Sequence, residues 1–254
     1  MRPPRRRWTA LFSKTDRRTA VSACPTPNHR RPIRSFVQRA GRLTAGQAQA
    51  LTTLWPTLGL TPIAGEPLDL NAAFGRDAPK ILEIGFGNGE SLAAMAEADP
   101  DTDFIGIEVH RPGVGHLLRR LDEAAISNVR LLCHDAVDVL RNDLRPASLN
   151  GAQIYFPDPW RKQRHHKRRL IQPEFVALLA DRIAGGGFLH LATDWEDYAR
   201  YMLAVLEADP LWRNQAGPGS FIQRPRGRPE TKFERRGRRL GHGVWDLLYA
   251  REGD

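Results

Sequence analysis

A glycine-rich turn after a short apolar run offers the clearest chemistry in the sequence. It reads Glu-Ile-Gly-Phe-Gly-Asn-Gly from Glu83 to Gly89, and alternating glycines such as Gly85 and Gly87 let a backbone approach a ligand closely. The dinucleotide fingerprint has glycine at its sixth position, where this chain has Glu90. Because carboxylates repel a pyrophosphate and attract a cation, the turn favours S-adenosylmethionine over a nicotinamide cofactor.

Acidic residues also follow the next two apolar runs. Glu108 closes the second predicted strand, and Asp135 closes the third. A carboxylate at Glu108 can accept hydrogen bonds from ribose hydroxyls, and one at Asp135 is placed to meet the edge of adenine. A tight turn alone would explain the glycines but not the acids at successive strand ends. We therefore expect a nucleoside cofactor.

A second motif, Phe-Pro-Asp-Pro-Trp, spans residues 156–160 and places Asp158 between two prolines. Proline restricts the backbone, so we expect an acid rigidly held at the end of the fourth predicted strand. Enzymes that methylate exocyclic amines carry the sequence N/D-P-P-aromatic after the fourth strand. In this chain a single proline follows Asp158, so the second proline of that sequence is missing. The structural alternative is a capped turn, and we expect Trp160 to pack in the core.

Positive charge after residue 42 is concentrated in two short segments. Residues 161–169 hold six Lys/Arg and no acidic residue, and residues 224–239 hold eight Lys/Arg and two acids. The formal charges of all other residues from 43 onward sum to −14. This concentration predicts contact with phosphates, with solvated loops as the alternative. The adjacent His165 and His166 lack metal-ligand spacing, so we expect no metal site.

The composition of the whole chain limits its partners and compartment. Its 254 residues carry a formal charge of +9, which favours nucleic acid over membrane as a partner. Two cysteines suit neither a disulfide framework nor a metal cage, so we expect a reducing compartment, the cytoplasm. Residues 1–32 predict a disordered basic arm before a single domain over 33–254. A targeting segment or a start assigned too far upstream remains open for the arm.

Alternating strands and helices must position these residues. The predicted strands cover 80–85, 103–109, 128–135, 152–156, 185–194 and 242–250. The predicted helices cover 90–98, 114–125, 173–184 and 195–208, with Asp194 as the cap of the last. This alternation predicts an α/β fold with a mainly parallel sheet, whose ligands bind at the carboxyl ends of the strands.

Taken together, the motifs resemble the bacterial tRNA (guanine-N7-)-methyltransferase family over about residues 33–250. The most specific segments are YFPDPWRKQRHHKRRL (155–170), ATDWEDYARYML (192–203) and RPETKFERRGRRLGHGVWDL (228–247). The resemblance implies a Rossmann-like class I methyltransferase fold with a late antiparallel strand. It also implies methyl transfer from S-adenosylmethionine to N7 of guanine 46 in the variable loop of tRNA.

The same resemblance assigns roles to residues. It implies cofactor contacts at Glu83, Glu108, Asp135 and Asp158, with Asp158 as the catalytic residue. It implies substrate contacts at Lys162, Asp194, Thr231, Lys232, Phe233 and Glu234. It implies RNA contacts along Arg164, His165, His166, Lys167, Arg168 and Arg169.

Three other functions remain open from the residues alone. They are an amino-directed RNA or DNA methyltransferase, a non-catalytic RNA-binding module and a nicotinamide oxidoreductase. Within the favoured function, either Asp158 or Asp194 can be the main carboxylate for guanine.

Overall fold

The computed structural model describes residues 34–36, 41–239, 241 and 243–253. The side chains of Lys232, Phe233, Arg236 and Arg238 lie outside the described set. Residues 1–32 also lie outside it, so the disordered arm and the domain boundary stay predictions.

Seven strands of the described chain form one sheet in the order β3-β2-β1-β4-β5-β7-β6. The strands are β1 (Lys80–Ile84), β2 (Asp103–Ile107), β3 (Val129–Leu132), β4 (Leu149–Tyr155), β5 (Ile183–Thr193), β6 (Trp212–Asn214) and β7 (Trp245–Arg251). Strands β1 to β5 are parallel, and β7 runs antiparallel to β5 and β6. The strand order reverses between β1 and β4, which is where open α/β sheets bind ligands.

Helices connect and cover the strands. The described α-helices are α1 (Ala45–Thr53), α2 (Trp55–Leu58), α3 (Leu70–Phe74), α4 (Glu90–Ala98), α5 (Arg111–Glu123), α6 (Ala136–Asn142), α7 (Pro173–Arg182), α8 (Glu196–Glu207) and α9 (Lys232–Arg239). A 3₁₀ helix spans Gln163–Arg168. Among the described residues, no helix is long and apolar enough to cross a membrane.

The core lies on both faces of the sheet, because helices cover both. Leu82 on one face belongs to a cluster with residues of α6, α7 and α8. A second cluster includes residues of α1, α2, α4 and α5. In α5, Val114, Leu117, Leu118 and Leu121 follow helical spacing and are fully buried. Burial of each of these side chains contributes about 1.5–3 kcal/mol to the stability of the fold. Together these contacts fix the position of α5, which packs next to the glycine turn.

The predicted fold class, a mainly parallel sheet with a late antiparallel strand, is confirmed. The predicted helix over 90–98 coincides with α4. The predicted cap at Asp194 is wrong: Trp195 is the N-cap of α8, and its N–H donates to Thr193 Oγ1 at 3.2 Å. The third predicted strand is also too long, because its end turns into the cap of α6 at Asp135. The prediction omitted the short elements α1 to α3, α6, α9, β6 and the 3₁₀ helix.

Candidate active site

The glycine turn between β1 and α4 adopts a conformation that its glycines permit. Gly85, Gly87 and Gly89 have φ angles of 75°, 60° and 77°, in the left-handed region that a Cβ disfavours. A Cβ added at Gly85 or Gly87 meets no atom within 4 Å, whereas one at Gly89 would lie 2.6 Å from Leu117. The first two glycines therefore leave one face of the turn open, and the third lets α4 pack against α5.

Glu108, just after β2, holds this turn in place. Its Oε2 accepts a hydrogen bond from the N–H of Gly87 at 2.9 Å. Its Oε1 accepts from the N–H groups of Val109 and His110 at 2.7 and 2.9 Å. Because each carboxylate oxygen has two lone pairs, Oε2 keeps acceptor capacity after fixing the turn.

Asp135 has a similar double role at the end of β3. Its Oδ1 accepts from the N–H of Val137 at 3.0 Å and so caps α6. The side chain also lines the cavity that Glu108 lines. The cap therefore fixes the orientation of this carboxylate at the wall of the cavity.

One cavity of about 260 Å³ brings five of the six predicted cofactor residues together at the carboxyl edge of the sheet. The predicted residues that line it are Gly85, Gly87, Glu108, Asp135 and Asp158. Its walls come from the ends of β1, β2, β3 and β4, so four separate strands build it. Tyr155 and Phe156 complete the wall beside Asp158.

The Asp158 loop is conformationally restricted at both ends. Phe156 and Trp160 have φ angles of 53° and 46°, a region that bulky residues rarely adopt. With the two intervening prolines, these angles hold the exposed Asp158 at the mouth of the cavity. Such restricted backbone often occurs at functional sites.

Trp160 does not pack in the core as expected. It is half-buried, and its Nε1 donates to the carbonyl of Ser35 at 3.0 Å. The guanidinium of Arg168 lies 4.3 Å from the centre of its ring. The core prediction was wrong because the basic residues that follow in the chain cover this ring.

Glu83, the penultimate residue of β1, is 2% exposed and does not line the cavity, although the next two residues, Ile84 and Gly85, do. Burial and the nearby Glu108 carboxylate raise the pKa of Glu83 to about 8. Its Oε2 finds no hydrogen-bond partner among the described residues. A cationic ligand near this buried carboxyl would favour its ionised form and so lower its pKa again.

The basic run after Trp160 folds into the 3₁₀ helix and is mostly open to solvent. Lys162, Arg164 and Lys167 are exposed, and His165 and His166 are half-buried. Arg168 also donates to the carbonyl of Arg34 at 3.3 Å. The exposed cations of this helix therefore continue directly from the Asp158 loop.

Arg169 differs from its neighbours because its side chain is only 1% exposed. It forms an ion pair with Asp197, and its Nε donates to the carbonyl of Pro159 at 3.0 Å. Its guanidinium also lies 4.8 Å from the ring centre of Tyr198. Arg169 thus anchors the basic segment to α8 and presents almost no surface to RNA.

The remaining predicted substrate residues lie on two other elements. Asp194 follows β5 and is half-buried. Thr231 precedes α9, where its Oγ1 accepts from the N–H of Glu234 at 3.1 Å. Glu234 is 2% exposed and forms an ion pair with Arg228. The side chains of Lys232 and Phe233 lie outside the described residues.

A buried polar row lies beside the cavity, and the sequence had predicted a role for only one of its members, Glu83. Glu83, Gln153 and His190 are register partners across β1, β4 and β5. His190 continues the row to Asp246 in β7, with Nε2 2.9 Å from Oδ1. Single polar residues inside apolar strands were the available signal, because a buried polar group needs a partner or a function. No group that could hold a metal ion occurs among the residues that the structure describes.

The sheet order, the glycine turn and the acids that follow β2 and β3 define a class I S-adenosylmethionine-dependent methyltransferase. The fold resembles a crystal structure of the 16S rRNA methyltransferase KamB, with a TM-score of 0.55 and 14% sequence identity. That match covers 76% of this chain and 100% of KamB. It supports the fold alone.

Sequence comparison defines the family. A family model described as "Putative methyltransferase" matches residues 77–247. A tRNA (guanine-N(7)-)-methyltransferase of Alkalilimnicola ehrlichii is 61% identical over 87% of this chain and 94% of its own length. One from Alcanivorax borkumensis is 58% identical over 87% and 92%. The chain belongs to the tRNA (guanine-N7-)-methyltransferase family.

Proposed function

We propose that this protein transfers the methyl group of S-adenosylmethionine to N7 of guanine 46 in the variable loop of tRNA. The family supports the acceptor atom and the RNA class. The observation that carries the proposal is the position of Asp158. It lines the same cavity as the glycine turn, and an exposed basic helix follows it in the chain. A cofactor site, an acceptor carboxylate and a phosphate-binding surface would then share one edge of the sheet.

The cavity residues fit S-adenosylmethionine, which supplies an electrophilic methyl group when bound. The open faces of Gly85 and Gly87 allow close approach of the cofactor to the backbone. Glu108 would accept from the ribose hydroxyls, and Asp135 would accept from the adenine amino group. Glu83, which precedes the lining residues Ile84 and Gly85, would stabilise the positive charge of the cofactor once its carboxyl has released its proton.

Guanine N7 carries a free lone pair at neutral pH, so the enzyme needs no base to create the nucleophile. It must instead hold N7 in line with the methyl–sulfur bond. Methylation leaves the purine with a positive charge, which a nearby carboxylate stabilises. The rigidity of the Asp158 loop, which is restricted by two prolines and two positive φ angles, supports this role for its carboxylate. Asp194, after β5, is the alternative carboxylate for this role.

The exposed part of the basic segment would bind tRNA phosphates. The exposed members are Lys162, Arg164 and Lys167, and the half-buried His165, His166 and Arg168 keep part of their surface in solvent. Cations at this position offset the cost of unstacking the target guanine, which is about a few kcal/mol. In this proposal, residues 33–254 form the catalytic domain, the arm of residues 1–32 lies outside it, and the reaction takes place in the cytoplasm.

The decisive experiment uses methyl-labelled S-adenosylmethionine and an unmodified tRNA transcript, followed by nucleoside analysis. A matched transcript with guanine 46 replaced by adenine is the control. We expect labelled 7-methylguanosine from the first transcript alone. Methylation of an exocyclic amine would overturn the proposal in favour of an amino-directed enzyme. RNA binding without methylation would overturn it in favour of a binding module.

A further inference from the structure

Residues 224–239, here called the bridging segment, lie between β6 and β7 and contain α9. They hold eight Lys/Arg and two acidic residues. Most of the arginines with described side chains are exposed, namely Arg224, Arg226, Arg235 and Arg239. Arg228 is the exception, with a side chain that is 0% exposed. A fully buried cation in a segment of exposed ones indicates a separate role.

Arg228 connects two carboxylates from different parts of the fold. Its Nη1 donates to Glu234 Oε2 at 2.7 Å, within α9. Its Nη2 donates to Asp246 Oδ2 at 3.0 Å, in β7. Both carboxylates are buried, at 3% and 2% side-chain exposure. Removal of the guanidinium would leave the buried Glu234 with only the exposed Arg224 as its cation and the buried Asp246 with only His190 as its partner, which is unfavourable.

The contacts of Arg228 continue to the cavity. Asp246 pairs with His190 Nε2, and His190 Nδ1 lies 3.1 Å from the hydroxyl of Tyr155. The guanidinium of Arg228 is also 5.7 Å from the ring centre of Tyr155 and 5.9 Å from that of Phe156. Both aromatic residues line the cavity next to Asp158. One buried network therefore joins the bridging segment to the wall of the candidate active site.

The bridging segment also touches the cofactor side of the cleft. Arg235 in α9 lies 3.5 Å from Glu90, the first residue of α4 after the glycine turn. Thr231, a predicted substrate contact, caps α9 between the two attachments. The segment is thus fastened to β7 through Arg228 and contacts the glycine-turn helix through Arg235.

We infer that Arg228 is a positioning residue for tRNA: its paired carboxylates hold the bridging segment so that the exposed arginines and Thr231 meet the RNA as a unit. This inference rests on the proposed methyl transfer to tRNA. Arg228 itself does not contact RNA, because its side chain is fully buried. Its loss therefore displaces several cations at once, whereas the loss of an exposed arginine removes one.

The experiment compares Arg228→Met with Arg226→Met, which removes an exposed arginine two residues away. Affinity for tRNA is measured across salt concentrations, and affinity for S-adenosylmethionine is measured separately. One phosphate contact changes the slope of log K against log salt by about one unit. We expect Arg226→Met to lower the slope by about one unit and Arg228→Met by about two or more. The KM for tRNA should rise about tenfold or more in Arg228→Met, while cofactor affinity stays within about threefold.

Arg228→Lys keeps the charge but loses the planar fork that reaches both carboxylates, so its KM for tRNA should lie between those of the wild type and Arg228→Met. This variant also serves if Arg228→Met fails to fold. A slope change of one unit or less in Arg228→Met, or a wild-type KM in Arg228→Lys, would overturn the inference. Equal losses of cofactor and tRNA affinity would also overturn it, because they indicate general damage to the fold. A wild-type protein that forms no 7-methylguanosine refutes the proposed function instead.

Discussion

Replacement of Glu83 with glutamine should change how the stability of the cofactor-free protein depends on pH. Burial and the Glu108 carboxylate raise the pKa of Glu83 from 4.5 to about 8. At neutral pH the folded protein therefore holds a proton that the unfolded chain has released. The stability contributed by the protonated group is fully present below pH 4.5 and is lost as pH rises through about 8. Glutamine has the same shape and does not titrate in this range.

The magnitude follows from the shift in pKa. Each pKa unit corresponds to about 1.4 kcal/mol, so the full cost of ionised Glu83 is about 5 kcal/mol above pH 8. Between pH 5 and pH 9 the free energy of unfolding of the wild type should fall by about 4 kcal/mol relative to Glu83→Gln. Urea denaturation at one-unit pH intervals measures this difference directly.

Glu97→Gln is the matched control, because Glu97 is an exposed glutamate of α4. The free energy of unfolding of Glu97→Gln, plotted against pH, should run parallel to that of the wild type. A difference between wild type and Glu83→Gln that stays constant from pH 5 to pH 9 would refute the reasoning. If the ionised Glu83 stabilises the bound cofactor as proposed, binding of S-adenosylmethionine should also release the proton. The wild-type affinity for S-adenosylmethionine should then rise by up to about tenfold for each unit that the pH increases toward 8. Calorimetry in two buffers of different ionisation enthalpy would detect that proton, and Glu83→Gln should release none.

Further predictions concern catalysis, RNA binding and the glycine turn. Asp158→Asn should lower kcat about 100-fold or more while the Kd for tRNA stays within about threefold, because the carboxylate stabilises a charge that develops during the reaction; near-normal kcat would exclude Asp158 from the mechanism. Joint replacement of Arg164, Lys167 and Arg168 by glutamine should weaken tRNA binding and lower its salt slope by about three units; an unchanged slope would place these residues outside the interface. In Gly113→Ala, the new Cβ would lie 2.1 Å from the carbonyl oxygen of Gly87, so S-adenosylmethionine affinity, measured by calorimetry, should fall at least tenfold. Gly253→Ala, whose Cβ meets nothing within 4 Å, should match the wild type, and equal affinities for all three proteins would show that the turn tolerates the contact.

Much of the catalytic edge could be predicted from local sequence. The glycine turn and α4 are encoded by consecutive residues, because glycine permits left-handed backbone and an apolar periodic run favours a helix. Glu108 and Asp135 were expected near each other because parallel strands place their carboxyl ends at one edge of a sheet. The cavity that contains both acids agrees with that expectation.

Other features of the site depend on contacts that local sequence does not specify. Arg169 belongs to a run of cations, yet an ion pair with Asp197, 28 residues away, buries it. Trp160 was expected in the core, yet Arg168 and Ser35 hold it at the edge of the cleft. Charge and hydrophobicity predict how such residues are buried on average. The burial of each individual residue is decided by the residues that it contacts in the folded protein.

The sequence by itself determined the fold class, the cofactor turn, the acidic strand ends and the family, because each depends on residue types at short spacing. Only the tertiary structure decided which charges are buried and paired. Arg228 illustrates this, since its carboxylate partner Asp246 lies 18 residues away in β7, where antiparallel pairing with β5 also brings Asp246 to His190. Strand register aligns side chains that are distant in the chain, and burial then requires each charge among them to find a partner.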